Sequence, residues 1–283
     1  MPSPDQTQTL GEHMLLRLPA RRPEADQIRH AVFDFDGTLS LLRAGWQQIM
    51  ISYFDEVLTA TGADETPTDR RQLCIDFITR LTGRQTIYQC MELAQQVSIR
   101  GGDALAADEY KAEFLRRLHE HIDHRRTAIV SGQSPLPFLV SGTLELLDRL
   151  HEKGIVCYLA SGTDVDYVRE EAALLGVDRF FAEDGQPPRI YGALADYQKF
   201  SKRMVIETIL AENHLDGTAL VGFGDGYVEI EETLRAGGWA VAIASDETHV
   251  DVEAQGSIVQ PQMDPWKQER LWQAGAHILT PDW

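Results

Sequence analysis

The chain has 283 residues, 43% of them hydrophobic and 25% charged, with a formal net charge of -18. That length allows one large domain or two modest ones in an ordinary globular protein. The acidity excludes a nucleic-acid binder that works through a basic stripe. It leaves small phosphorylated substrates open, because a local site can be positive in an acidic protein. Cys74, Cys90 and Cys157 lie far apart with no Cys-x-x-Cys pair, which suits a reducing compartment and inert thiols. No run of about 18 apolar residues occurs, and the Pro-, Gln- and Thr-rich start lacks a signal-peptide core. The expectation is a cytoplasmic protein with neither membrane nor nucleic-acid partners.

Residues 1–25 are polar apart from the patch Met14-Leu15-Leu16-Arg17-Leu18, and read as an arm lying against the core or partly disordered. Next comes His30-Ala31-Val32-Phe33-Asp34-Phe35-Asp36-Gly37-Thr38-Leu39, an apolar run short enough for a buried strand. From Leu41 to Arg126 only one proline occurs (Pro67), and apolar residues recur at helical spacing. Trp46, Ile49, Met50, Tyr53, Phe54 and Val57 form one stripe; Leu73, Phe77, Ile78 and Leu81 another; Ile87, Met91, Leu93, Ala94 and Val97 a third. Ala106 to His119 carries a fourth, so this region predicts an all-α bundle.

Past Pro135 and Pro137 the pattern alternates. A helix follows Gly142, a strand runs Ile155–Ala160, and a helix Val165–Leu175 stops at Gly176. A short strand is expected at Phe180–Ala182, a helix at Met204–Leu210, a strand at Ala219–Phe223 and a helix at Val228–Ala236. The strand Trp239–Ile243 and a final helix and strand (Lys267–Ala276, His277–Thr280) close the series. Strands alternating with helices mean a parallel sheet covered on both faces, with ligands at the strands' carboxyl ends.

Asp34 and Asp36 stand two apart, so on a strand they share a face, and Gly37 turns the chain beside them. Carboxylates that close want a cation, a shared proton, or both. A calcium loop also begins Asp-x-Asp, but glycine here falls at its fourth and twelfth positions (Gly37, Gly45) instead of glycine at the sixth and glutamate at the twelfth. Ser161-Gly162-Thr163-Asp164 sits between a predicted strand and a helix start, where unpaired N–H groups offer an anion site or simply a cap. Gly222-Phe223-Gly224-Asp225 ends another strand, with Glu229 four residues later. Of the five lysines, Lys199 and Lys202 lie between these two sites, and Lys202 precedes Asp225 by 23 residues. The run His119-Glu120-His121-Ile122-Asp123-His124 looks like metal ligands, but on a helix His119 and His121 diverge.

These four stretches, in this order, resemble the motifs of the haloacid dehalogenase-like hydrolases. The resemblance covers about residues 28–243. It implies an α/β fold, a Rossmann-like parallel sheet with helices on both faces, with an all-α helical cap inserted after the first strand. The boundaries would be an arm at 1–25, a core at 26–42 and 128–283, and a cap at 43–127. It further implies a Mg²⁺-dependent phosphatase acting on a small phosphorylated metabolite, a sugar phosphate or phosphoglycolate-like acid. Asp34 would be the nucleophile that forms an aspartyl-phosphate and Asp36 the general acid and base. Ser161, Gly162 and Lys202 would bind phosphate, with Lys199 a competitor for the lysine role. The metal set would be Asp34, Asp36 through its main-chain carbonyl, Asp225 and Glu229. Asp36 argues against the metal-free dehalogenases, and the lack of lysine between Leu39 and Tyr110 argues against a Schiff-base hydrolase of the same group. A sugar phosphomutase and a non-catalytic binding relative stay open. In the cap, Arg84 within Gly83-Arg84-Gln85-Thr86 is the candidate contact to a substrate's polar end.

Overall fold

A computed structural model describes residues 7–10, 14–17, 25–183, 185–253, 255 and 261–283. Its centre is an eight-stranded sheet in the order β1-β2-β8-β7-β6-β3-β4-β5. These strands are β1 (Thr7–Leu10), β2 (Met14–Arg17), β3 (His30–Phe33), β4 (Val156–Asp164), β5 (Ile190–Ala193), β6 (Leu220–Gly224), β7 (Trp239–Ile243) and β8 (Ile278–Thr280). All pairings from β8 to β5 are parallel, and β1 and β2 run antiparallel at the edge.

The alternation of side chains along β3 and β4 explains why helices cover both faces. Ala31, Phe33, Cys157 and Leu159 join one apolar cluster, with Leu147, Val168 and Ala172. These last three come from α5 (Thr143–Glu152) and α6 (Val165–Leu175). Val32, Tyr158 and Ala160 point the other way, onto Val205, Ile206 and Ile209 of α7 (Lys202–Glu212). Phe33 is fully buried and stacks on Phe223 of β6, with ring centroids 4.4 Å apart and planes 4° from parallel. Two more helices cover the remaining strands, α8 (Tyr227–Arg235) and α10 (Pro265–Ala274), with the short α9 (Val250–Glu253) between them in the chain.

Between β3 and α5 stand four helices, α1 (Trp46–Thr59), α2 (Pro67–Arg80), α3 (Thr86–Ile99) and α4 (Ala107–Val130). They bury their own apolar cluster around Met50, Phe54, Phe77, Leu93, Phe114 and Leu118. The stripes read from the sequence are the faces that meet here. No helix among the described residues is long and apolar enough to cross a membrane.

Two expectations need correction. Helix α4 runs eleven residues past His119, because Ile122 is fully buried and Arg125 carries the buried stripe onward despite the polar, His-rich surface. The Arg125 guanidinium donates to the carbonyls of Leu42 and Ala44 (2.9 and 2.8 Å) and pairs with Asp251, tying α4 to the core. Phe180 and Phe181 lie in a 3₁₀ turn, Asp178–Phe181, not a strand. Both rings enter the same cluster, whereas a strand would send them to opposite faces. The strand of that region is β5, which begins after Pro187 and Pro188 and carries only Ile190-Tyr191-Gly192-Ala193. Where it is described, the N-terminal patch lies against the core, as one of its two readings has it. Leu15 and Leu16 pair with Leu279 and Ile278, covering the open hydrogen bonds of β8, and the Arg17 guanidinium lies 4.2 Å above the Trp272 ring. Leu18 lies outside the described residues.

The central stack gives a stability prediction. Phe33→Ala should cost about 3–5 kcal/mol in chemical denaturation, whereas Leu136→Ala, at an exposed position, should stay within about 0.5 kcal/mol.

Candidate active site

The carboxyl ends of β3, β4 and β6 meet beneath the cap. β3 closes at Phe33, and the amide of Asp34 continues its ladder by donating to the carbonyl of Phe223 at 2.9 Å. The chain then turns tightly. The amides of Leu39 and Ser40 both donate to the carbonyl of Phe35, and Gly37 has φ of 75°. A side chain at Gly37 would put its Cβ 2.2 Å from Asp225 Oδ2, so glycine is required for the acid's approach as well as for the turn. Thr38 fixes that acid from behind, its hydroxyl accepting from the Asp225 amide at 3.0 Å.

Asp34, Asp36, Ser161, Gly162, Lys202 and Asp225 all line one cavity of about 70 Å³, which Arg84 also borders from the cap. Lys202 is buried, and its ammonium lies 2.8 Å from Asp34 Oδ1. Lys199 sits in the 3₁₀ turn Tyr197–Lys199 with its side chain 74% exposed, paired only with Asp196. Of the two lysines it is Lys202 that reaches the cavity, placed by α7 starting there, with Ser201 capping the helix through the Met204 amide.

Asp36 looks away from this pair. Its Oδ2 accepts from the Thr163 hydroxyl at 2.7 Å, and its Oδ1 lies 3.7 Å from the Arg43 guanidinium with no hydrogen bond of its own. Burial pushes the Asp36 carboxyl up to about 7, against the pull of Arg43. Burial also raises the Asp34 carboxyl, and Lys202 opposes that rise. Arg43 is anchored by Glu171, which accepts two of its N–H groups at 2.9 and 2.8 Å.

Ser161 and Gly162 do not stand at a helix start. β4 extends through both to Asp164, with an irregularity in its pairing between Ala160 and Asp164, and the Ser161 hydroxyl accepts from the Thr163 amide at 3.1 Å. Gly162 is the seat of the cap. A Cβ there would meet the Arg84 carbonyl at 2.5 Å. Beside it the buried Gln85 amide donates to the carbonyls of Tyr197 and Phe200, both at 2.8 Å. On the other side of the opening Lys111 of α4 pairs with Asp164 at 2.6 Å. The Arg84 side chain itself is exposed, with its guanidinium 6.0 Å above the Tyr88 ring.

Of the expected metal set, Asp34 and Asp225 come near enough for each charge to weigh on the other. The Asp36 carboxylate is turned to Thr163 and Arg43. Glu229 pairs with Lys202, and its second oxygen is buried without a hydrogen bond. Among the described residues, no three His, Cys, Asp or Glu side chains converge on one point. Two carboxylates in a cavity without histidine or cysteine suit a hard cation such as Mg²⁺, which takes one or two acids plus other oxygens. The glycine cradle at Gly37 leaves the space against Asp225 clear. The donors fit that ion.

Three participants were missed in the sequence. Arg43 and Thr163 are isolated residues whose role depends on folding against Asp36. Lys267, on α10, reaches back from the end of the chain to lie 3.0 Å from Asp225 Oδ2. Its position between Trp266 and Gln268 carries no motif, and only its burial, beside that of Leu271 on the same helix, marks it.

These placements separate the lysines functionally. Lys202→Ala should lower turnover by roughly 10²–10³, the scale of removing one donor from a developing oxyanion, and Lys199→Ala should leave it within about twofold. Steady-state turnover of the two variants checks this, and equal losses would contradict it.

Comparison with known proteins agrees with this architecture. The model of the haloacid dehalogenase-like hydrolase family matches residues 31–228. No curated protein matches the chain. Among solved structures it is similar to a predicted phosphoglycolate phosphatase from Haemophilus somnus, at 16% identity and TM-score 0.50, covering 78% of this chain and 87% of that one. It is likewise similar to a protein assigned as a β-phosphoglucomutase from Bacteroides vulgatus, at 13% identity and TM-score 0.51 over 92% and 87% of the two chains. A third is a haloacid dehalogenase-like protein of unknown function from Agrobacterium tumefaciens, at 17% identity and TM-score 0.51 over 90% and 94%. At such identities the solved structures speak for the fold alone. The family match spans more than half of the chain, from the strand before Asp34 to the helix after Asp225, and the protein belongs to the haloacid dehalogenase-like hydrolases.

Proposed function

We propose that the protein is a Mg²⁺-dependent phosphatase that hydrolyses a small phosphorylated metabolite, a sugar phosphate or phosphoglycolate-like acid, through an aspartyl-phosphate on Asp34. The observation that supports this most is the pairing of Asp34 with the Lys202 ammonium at 2.8 Å in the cavity that also holds Asp36, Ser161 and Gly162. A nucleophile, a proton carrier and anion-binding groups are thereby gathered on one small volume.

An Asp34 carboxylate oxygen attacks phosphorus, and the bond from phosphorus to the leaving oxygen breaks. Lys202 keeps Asp34 ionised and oriented in a site where burial favours the neutral acid. Asp36 gives its proton to the leaving oxygen. A carboxyl raised to about 7 by burial carries that proton at neutral pH, and its unpaired Oδ1 is the oxygen free to deliver it. In the second half, Asp36 takes a proton from the attacking water, the bond between phosphorus and Asp34 breaks, and inorganic phosphate leaves. The Ser161 hydroxyl, the Gly162 backbone and Lys202 bind the phosphoryl oxygens as charge builds. The residues that would hold Mg²⁺ are Asp34, Asp225 and Asp36 through its main-chain carbonyl, and when bound it would neutralise phosphate and carboxylate charge together.

The leaving group would lie toward the cap, where Trp46, Phe114 and Leu118 offer apolar contact and Thr86 and Gln89 offer hydrogen bonds. Arg84 is the cap's cationic contribution to that wall.

The test is phosphate release from a panel of phosphorylated metabolites, with and without Mg²⁺. Wild type should release phosphate only with the metal. Asp34→Asn should fall to background while keeping the wild-type thermal midpoint, because an amide cannot attack phosphorus. Turnover in excess chelator, or more than a few per cent of activity in the variant, would contradict the reading. A phosphorylated isomer in place of free phosphate would identify a mutase.

A further inference from the structure

Asp225 is not a free acid waiting for a ligand. The Lys267 ammonium stands 3.0 Å from its Oδ2 and also bonds Glu247 Oε1, with only 8% of the lysine side chain exposed. A Cβ on Gly37 would lie 2.2 Å from the Asp225 oxygen and 3.0 Å from the Glu247 oxygen, so both acids crowd one glycine with the lysine on them. Lys202 is already occupied with Asp34 and Glu229. Lys267 thus serves the Asp225 end of the site, and neither the family motifs nor the proposed reaction gives it a role.

We infer that Lys267 is a resident cation that neutralises Asp225 and Glu247 before metal arrives, and that a divalent cation binds Asp225 only as Lys267 withdraws onto Glu247. This rests on the reading that metal binds at Asp225. Three observations carry it. An ammonium and a divalent ion on one carboxylate repel strongly at this range, so the two compete. Glu247 gives the displaced ammonium a partner, which avoids an unpaired buried charge. Room exists as well, since Lys267 and Glu247 line a separate cavity of about 460 Å³ bordered by Trp46, His121, Asp264 and Trp266. As a positioning residue Lys267 acts through Asp225, with no contact to the substrate required.

The experiment is calorimetric titration of the full chain with Mg²⁺ alone, without substrate, on wild type, Lys267→Met, Glu247→Gln, the double variant and Asp225→Asn. Lys267→Met should bind Mg²⁺ about tenfold tighter, the scale of removing one like charge a few ångströms from the site. Glu247→Gln confines Lys267 to Asp225 and should bind several-fold weaker, and that loss should disappear in the double variant. Unchanged or weaker binding in Lys267→Met overturns the proposal. If that variant does not fold, the Glu247→Gln result decides alone, and unchanged or tighter binding there overturns it. Asp225→Asn keeps the two questions apart. It should lose Mg²⁺ binding, and wild-type affinity in that variant would show that the metal reading itself fails.

Discussion

The carboxylates packed into one poorly solvated cleft govern the rest of this structure. Asp34, Asp36, Asp225, Glu229, Glu247 and Glu171 are buried or half-buried in and around it, and among the described residues Lys202, Lys267 and Arg43 neutralise them, with Arg126 beside Glu171. Each cation is shared by two acids. Lys202 bridges Asp34 and Glu229, Lys267 bridges Asp225 and Glu247, and Arg43 bridges Asp36 and Glu171. Such sharing holds the acids in place and leaves net negative charge, which favours further cations over bare phosphate, while burial raises the Asp34 and Asp36 carboxyls. A phosphorylated ligand fits such a site when it arrives with compensating charge.

The fold supplies this arrangement from distant parts of the chain. β3 delivers Asp34 and Asp36, β4 delivers Ser161 and Thr163, the start of α7 delivers Lys202, the end of β6 delivers Asp225, and α10 delivers Lys267. The four-helix cap completes the wall. Its loop at Gly83–Gln85 rests on Gly162 and on the carbonyls of Tyr197 and Phe200. Arg125 and Lys111 fasten α4 to the core near its two ends. These contacts close the wall over the cavity, and Ile129 of α4 packs on the core's apolar cluster beside them.

Much of this was legible in the sequence, for a physical reason. Buried parallel strands are continuous apolar runs, and Asp34, Ser161 and Asp225 stand where those runs stop, so their place at the carboxyl edge of the sheet is legible, while the roles proposed for them come from the family resemblance. The helical stripes of the cap were equally plain. What escaped depended on contacts between elements. Phe180 and Phe181 have strand propensity, yet both rings must enter one cluster, and the chain turns to allow it. The extension of α4 hid behind histidines whose buried counterparts were Ile122 and Arg125. Glu229 stands where the family resemblance implies a metal ligand, and α8 aims it at Lys202. Lys267 had no local signature at all, since its meaning comes from the return of α10 to the edge of the site.

On the proposed mechanism Asp34 carries the phosphoryl group. A borohydride quench of the wild-type protein during turnover of p-nitrophenyl phosphate with Mg²⁺, followed by sequencing of the peptides by mass spectrometry, tests this. An acyl-phosphate is reduced where a free carboxylate is not, so conversion at Asp34 that requires substrate is the expected result. Turnover with Asp34 unreduced, or reduction at another acid such as Asp36 or Asp225, would contradict it.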